Sequence, residues 1–220
     1  MARLLSLWCL IIMVTTSNAQ NLPKPTFWLL HNQGQGFRNV GEARAHTQFI
    51  DSLTSIDPVA LNFNPAYTFS QANYKLGSSR IPLSQSKFTV FVVYRADSLT
   101  DDVPVYSLQD NEKTVLALTP KKILRYGRNL VYHDSITTKT FINVAEGQVR
   151  GNFSGGLSLQ IGHVDSSFFK GWLGELLIFE GKLDQITREY YETYLAMKYG
   201  VTLESDRYLM FADTSKVWVK

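Results

Sequence analysis

The chain has 220 residues, with 22 Lys and Arg against 19 Asp and Glu and a formal net charge of +3. That balance gives no electrostatic case for binding nucleic acid or a membrane surface. At 45% hydrophobic and 13% aromatic residues, the composition is that of a packed globular domain and excludes a disordered one.

In chain order, Met1 and Arg3 precede an apolar run over 4–14, and Ser17-Asn18-Ala19 closes it before Gln20. These are the basic, apolar and small-residue regions of a secretory signal peptide over residues 1–19, with cleavage expected after Ala19. The run falls short of the ~20 residues that a membrane-spanning helix needs, and no later segment qualifies, so no transmembrane segment is expected. Cys9, the only cysteine, lies inside this leader, and Trp8 before it is too bulky for a lipoprotein signal. Neither a disulfide nor a thiol nucleophile is therefore expected after export. Without Arg3 the balance is 21 basic to 19 acidic residues, a net charge of +2. Residues 20–220 are expected to form one domain that reaches the periplasm, the cell surface or the medium.

A Pro23 and Pro25 leader introduces a short apolar strand over 27–30. A polar, glycine-containing loop follows over 32–47, and 43–56 has the pattern of a short helix. Residues 61–63 read as a strand stopped by Asn64-Pro65. The unbroken β-branched and aromatic run in 87–95, from Phe88 to Tyr94, predicts a central strand buried on both sides. Strands over 103–108, 114–118, 122–126, 129–133, 140–144, 158–161 and 173–179 follow at the short spacing of a sandwich or barrel. Turn signals separate them at Asp101-Asp102, Asp110-Asn111, Gly127-Arg128 and Gly155-Gly156. After Gly181, Asp184 can cap a helix that ends at Gly200. Ile186, Tyr190, Tyr194 and Met197, with Leu195 alongside, recur at helical steps and predict the face laid on a sheet.

Several separated blocks carry a family resemblance. They are Leu61-Asn62-Phe63-Asn64-Pro65-Ala66 with Phe69, the run from Phe88 to Tyr94, Leu157 to His163 with Phe169-Lys170-Gly171-Trp172, and the strand-turn-helix ending through Tyr194-Leu195-Ala196-Met197-Lys198-Tyr199-Gly200. In this order they resemble concanavalin A-like lectin/glucanase domains of the laminin-G-like type, found in surface proteins of Gram-negative bacteria. The resemblance implies an all-β, two-sheet antiparallel jelly-roll β-sandwich with a C-terminal α-helix packed on it. It implies a secreted, non-catalytic recognition module, for carbohydrate binding or cell-surface adhesion, whose partner is a glycan or a surface protein. A structural domain assembling a surface complex is the alternative, and a glycoside hydrolase is the least supported class.

The hydrolase reading needs two carboxyls ~5 to 5.5 Å apart, and Glu175 and Glu180 are the only comparable pair. Five steps along a regular strand put them on opposite faces, so Glu175 is expected to pair with a base or anchor a loop. His31, His46, His133 and His163 lack the spacing of a transition-metal motif, no serine sits in Gly-x-Ser-x-Gly, and no phosphate-binding glycine loop occurs. Lectin and laminin-G-like sandwiches often hold calcium, which suits loop oxygens; here Asp97, Asp101 and Asp102, or Asp110-Asn111-Glu112, are the oxygen-rich loops. A sugar offers a C–H face and hydroxyls, so a loop ring beside an amide is the expected chemistry. Tyr106, Tyr126, Tyr132 and Phe168, with Asn111 and Asn129, are the ligand-binding candidates, with Asn73 and Trp172 beside them. The four cations of 121–128 alternate between two faces of a hairpin, as edge-protecting charges do.

Overall fold

The computed structural model describes residues 22–32, 36–45, 49–52, 55–70, 75–97, 103–126, 128–132, 140–164, 167–203 and 218–219. The expected leader over 1–19 with Cys9, and His46, Asn73, Asp101, Asp102 and His133, lie outside these.

The first strands are β1 (Phe27–Asn32), β2 (Gly36–Asn39), β3 (Phe49–Ser52), β4 (Ser55–Leu61), β5 (Asn64–Phe69), β6 (Lys75–Pro82) and β7 (Lys87–Ala96), with a 3₁₀ turn at Glu42–Ala45. Then come β8 (Tyr106–Asp110), β9 (Lys113–Leu118), β10 (Lys122–Arg125), β11 (Arg128–Tyr132) and β12 (Thr140–Gln148). The last are β13 (Gly156–Ile161), β14 (His163–Val164), β15 (Ser167–Phe168), β16 (Gly171–Glu180) and β17 (Trp218–Val219), with helix α1 (Gln185–Tyr199) between β16 and β17. Among the described residues, one antiparallel sheet runs β17-β12-β7-β16-β1-β2, with β5 also on β16 and β4 on β5. The opposing sheet runs β11-β10-β9-β8-β13-β6-β3. The two form a jelly-roll-like β-sandwich, and α1 packs on the outer face of the first sheet.

The unbroken apolar run of β7 follows from this layering. Phe88, Val90, Val92 and Tyr94 enter the core between the sheets, while Phe91 and Val93 enter a second core beneath α1. Alternate side chains of a strand point to opposite faces, so a strand covered on both sides needs apolar residues at both parities. The same holds for β16, where Leu176 and Ile178 face the sandwich and Leu177 and Phe179 face the helix. Leu173 also faces the sandwich, so the parity changes between it and Leu176. A bulge between Leu173 and Glu175 makes the change.

Helix α1 is capped as its sequence predicts. Asp184 accepts the Thr187 N–H at 2.9 Å and the Thr187 hydroxyl at 2.8 Å, and the amide bond foremost holds its carboxyl below the usual range. Gly200 closes the other end in the left-handed conformation, φ 59°, with its N–H on the Ala196 carbonyl. The buried face differs from the one expected. Thr187, Tyr191, Glu192, Leu195, Ala196 and Tyr199 turn inward, while Ile186, Tyr190 and Met197 remain 49%, 52% and 72% exposed. Apolar residues recur at helical spacing on more than one side, so periodicity alone did not fix the rotation.

What fixes it is Glu175, 0% exposed on the helix side of β16. Its carboxylate accepts Trp28 Nε1–H at 2.9 Å and the Tyr199 hydroxyl at 3.2 Å, and it pairs with the Lys198 ammonium. Burial, reinforced by the Glu175 charge, drives the Tyr199 hydroxyl well above its ordinary value, so it stays a donor. Gly174 lets the ring of Tyr199 approach, since a Cβ there would lie 2.8 Å from it.

Other differences have local causes. Residues 61–63 do not form one strand: Asn62 and Phe63, at φ 48° and 65°, make the two-residue turn between β4 and β5, and Asn64-Pro65 opens β5. The helix expected over 43–56 reduces to the 3₁₀ turn followed by β3 and the start of β4. β2 falls inside the expected loop, and β6 has few apolar residues to announce it. Gly77 in β6 is required, because a Cβ would stand 2.2 Å from the Leu159 carbonyl oxygen of β13.

Phe91 packs against Phe179 at 5.6 Å and Tyr191 at 6.1 Å between ring centroids. Phe91→Ala is expected to lower stability by ~3–5 kcal/mol in denaturant unfolding, and a loss below ~1 kcal/mol would contradict this packing. Lys198→Ala strands the Glu175 charge and is expected to cost about 2–3 kcal/mol, discounted for the partial exposure of Lys198. Replacing Glu175 by Gln together with Lys198 by Met, which removes both charges, should recover part of that loss.

Candidate functional site

One end of the sandwich gathers loops from both sheets, and backbone hydrogen bonds tie them. Leu83 N–H donates to Gly155 O, Val149 N–H to Ser86 O and Gly181 N–H to Lys87 O, at 3.3, 2.8 and 2.7 Å. The 3₁₀ turn is fixed at the same end, with Glu42 N–H on Pro25 O and Ala43 N–H on Thr26 O, both at 2.9 Å. Between these pieces lies an open cleft of about 640 Å³, within the range of ligand pockets.

Its walls come from segments far apart in sequence. Lys24 and Thr26 approach from the N-terminal side, Glu42 from the 3₁₀ turn, Pro82 from β6, and Phe179 and Glu180 from the end of β16. Lys24 and Glu42 are exposed. The Glu180 carboxylate is oriented by Ser84, whose N–H and hydroxyl both donate to it, the hydroxyl at 2.7 Å. Beneath the wall, the Tyr191 hydroxyl donates to Pro23 O at 2.9 Å, which anchors the N-terminal segment to α1. That hydroxyl is pushed up to about 12, chiefly by burial and then by the neighbouring Tyr190 and Glu42. The cleft thus offers carboxylate acceptors, an ammonium donor and a hydroxyl over a partly apolar lining.

The residues singled out in the sequence are divided between the two ends. Asn111, Tyr126 and the backbone of Asn129 belong to the hairpins at the cleft end; Tyr106, Phe168, Asp97 and the backbone of Tyr132 belong toward the other. Tyr106 is 0% exposed, a core residue, and cannot meet a ligand from this position. Tyr126 hydrogen-bonds the backbone: its hydroxyl donates to Gln148 O at 2.9 Å and accepts the Arg150 N–H, with the Arg150 guanidinium 5.1 Å from its ring. Asn111 and Glu112, both at positive φ, form the tight β8–β9 turn, one residue beyond the Asp110-Asn111 turn expected. Asp110 ends β8 and accepts the Ser154 hydroxyl. Phe168 is half-buried with Lys170 over its ring at 5.6 Å, and Trp172 is half-buried beneath the Arg95 guanidinium at 4.0 Å.

Asp97 is exposed at the exit of β7, and its intended companions Asp101 and Asp102 lie outside the described residues. Among the described residues, no group of three or more His, Cys, Asp or Glu is placed to hold a metal ion. Glu175 and Glu180 do not share a cleft: the first is sealed beneath α1 and the second lines the open end. Lys24, Thr26 and Glu42 escaped the sequence reading, since nothing local marks a lysine or a glutamate that meets the end of β16 more than 130 residues later. Among the described residues, no helix is long and apolar enough to cross a membrane.

No family model matches the chain, and no curated protein does. Among solved structures it is similar to a mutant of HCR/D, with TM-score 0.53 and 9% identity over 82% of this chain and 53% of that one. It is similar also to botulinum neurotoxin type C, whose cell entry is described as dependent upon interaction with two ganglioside molecules, with TM-score 0.52 and 12% identity over the same shares. The chain therefore spans about half the length of those two. Domain 4 of AbnA, an extracellular arabinanase from Geobacillus stearothermophilus in complex with arabinotriose, matches with TM-score 0.40 and 14% identity over 63% of this chain and 77% of that one. At that score the last likeness carries no argument. At these identities the first two establish a shared fold and nothing more.

Proposed function

We propose that the chain is a non-catalytic carbohydrate-binding domain of an exported protein, a concanavalin A-like sandwich that takes its glycan at the cleft end. The observation that carries this reading is the cleft itself. Lys24, Thr26, Glu42 and Glu180 set donors and acceptors around a partly apolar lining, the pairing of chemistries that a sugar with hydroxyls and a C–H face requires. Support of a second kind comes from the ganglioside dependence described for botulinum neurotoxin type C, which shares the fold. The leader over 1–19 agrees with work outside the cytoplasm, at the periplasm, the surface or beyond. The separation of Glu175 from Glu180 removes the pair that hydrolysis would have used, and supports binding over turnover.

A glycan array with the chain from Gln20 onward, with and without calcium, tests this. We expect binding to at least one oligosaccharide class, no release of sugar, and affinity weakened about tenfold by Lys24→Ala or by Glu42→Gln, as loss of a charge-assisted hydrogen bond predicts. Unchanged thermal unfolding would show that each variant folds. Binding that is indifferent to both substitutions, or no binding to any glycan, would overturn the assignment.

A further inference from the structure

Helix α1 presents apolar residues on two sides: Tyr191, Leu195, Ala196 and Tyr199 face inward, yet other large apolar residues face outward. Its inward side holds Glu192 at 2% exposure and the partly buried Arg188 and Lys198, with Arg188 paired to Glu192 at 2.9 Å and Lys198 paired to Glu175. Its outward side holds Ile186, Tyr190 and Met197. Together with Phe63, these are the exposed large hydrophobic residues of the described chain. Phe63 belongs to the same region. Asn62 and Asn64 donate to the carbonyls of Tyr199 and Lys198, which sets the β4–β5 turn at the C-terminal end of α1. Phe63 is 90% exposed there at φ 65°, a backbone conformation that a bulky residue rarely adopts.

We propose that this face docks a second copy of the chain through an antiparallel, two-fold pairing of α1 with itself. Ile186, Tyr190, Thr193 and Met197 step by four, three and four, the spacing of a coiled-coil seam. The stripe is symmetric about the point between Tyr191 and Glu192. A two-fold axis there sets Ile186 against the partner's Met197 and Tyr190 against the partner's Thr193, so one surface serves both copies. None of the four seam residues is charged, and the two helix dipoles run opposed. Phe63 extends the contact beyond Met197, toward the N-terminal end of the partner's helix. On the rim, Glu189 approaches the partner's Glu189 with an axial offset of about 7 Å, so added salt strengthens the pair by screening. Four seam residues with Phe63 are far fewer than the roughly 20–30 residues a side of a standard interface, so the dimer is weak, in the micromolar range or above.

Sedimentation velocity on the chain from Gln20 onward, from about 10 µM to 1 mM, tests this. The expected result is a monomer–dimer equilibrium. Ile186→Lys and Met197→Glu should each weaken it by about tenfold or more, without changing thermal unfolding because both sites are exposed. Both substitutions in one chain should restore the dimer, since each new lysine then meets the partner's new glutamate. A wild-type chain that stays monomeric throughout, as it would if residues 204–217 covered the stripe, overturns the proposal. So does a double variant no better than the single ones, which would mean another surface or another register makes the dimer.

Discussion

The structure depends on one constraint: the β7–β16 pair is covered on both faces, and everything laid on it must satisfy that burial. On one side the opposing sheet meets Val90, Val92, Leu176 and Ile178; on the other, α1 meets Phe91, Val93, Leu177 and Phe179. A sheet closed on one side only would leave the second apolar face in water, so the C-terminal helix is part of the fold and not an appendage. Glu192, on the inward side of α1, is buried and paired with Arg188, and Glu175 is the buried carboxylate that the sheet contributes to this second core. A buried carboxylate is tolerable only when its charge and lone pairs are answered. Trp28, Lys198 and Tyr199 answer them. Because Lys198 and Tyr199 stand on the last turn of α1, this anchor also selects which helical face points outward.

The cleft inherits its shape from the same arrangement. Phe179 and Glu180 are the last residues of β16, so the strand that carries the double core also delivers a carboxylate to the open end. Tyr191, beneath Phe91 and Phe179, reaches past them to hold Pro23. The wall that brings Lys24 to the cleft therefore rests on the helix. An open cleft at one end and exposed Ile186, Tyr190 and Met197 on the outside are two consequences of how α1 sits among the described residues. A weak two-fold dimer would present two clefts at once, and paired weak sites gain avidity when a ligand can span them.

Much of this could be read in the sequence, for physical reasons that also mark its limits. The central strand was legible because double burial leaves a continuous apolar run, and the ending was legible because Gly181, Asp184 and Gly200 are local signals. β2, β3 and β6 were not: they are short or polar, and Gly77 in β6 is chosen for its closeness to β13, a tertiary cause. Asn62-Phe63 concealed a turn because phenylalanine seldom accepts a left-handed backbone. Tyr106 and Tyr126 looked like loop rings, yet one fills the core and the other binds the backbone at and just past the end of β12. Glu42 and Lys24 carried no local mark, since only the closed sandwich brings them to Glu180.

Native-state hydrogen exchange addresses the central claim most directly. If the doubly covered sheet and its helix form one cooperative unit, the amides of Phe88–Tyr94, of Leu176–Phe179 and of Tyr191–Tyr199 should exchange only through global unfolding, with the same denaturant dependence. Exchange of the helix amides through a separate opening, at free energies several kcal/mol below those of β7, would contradict that account.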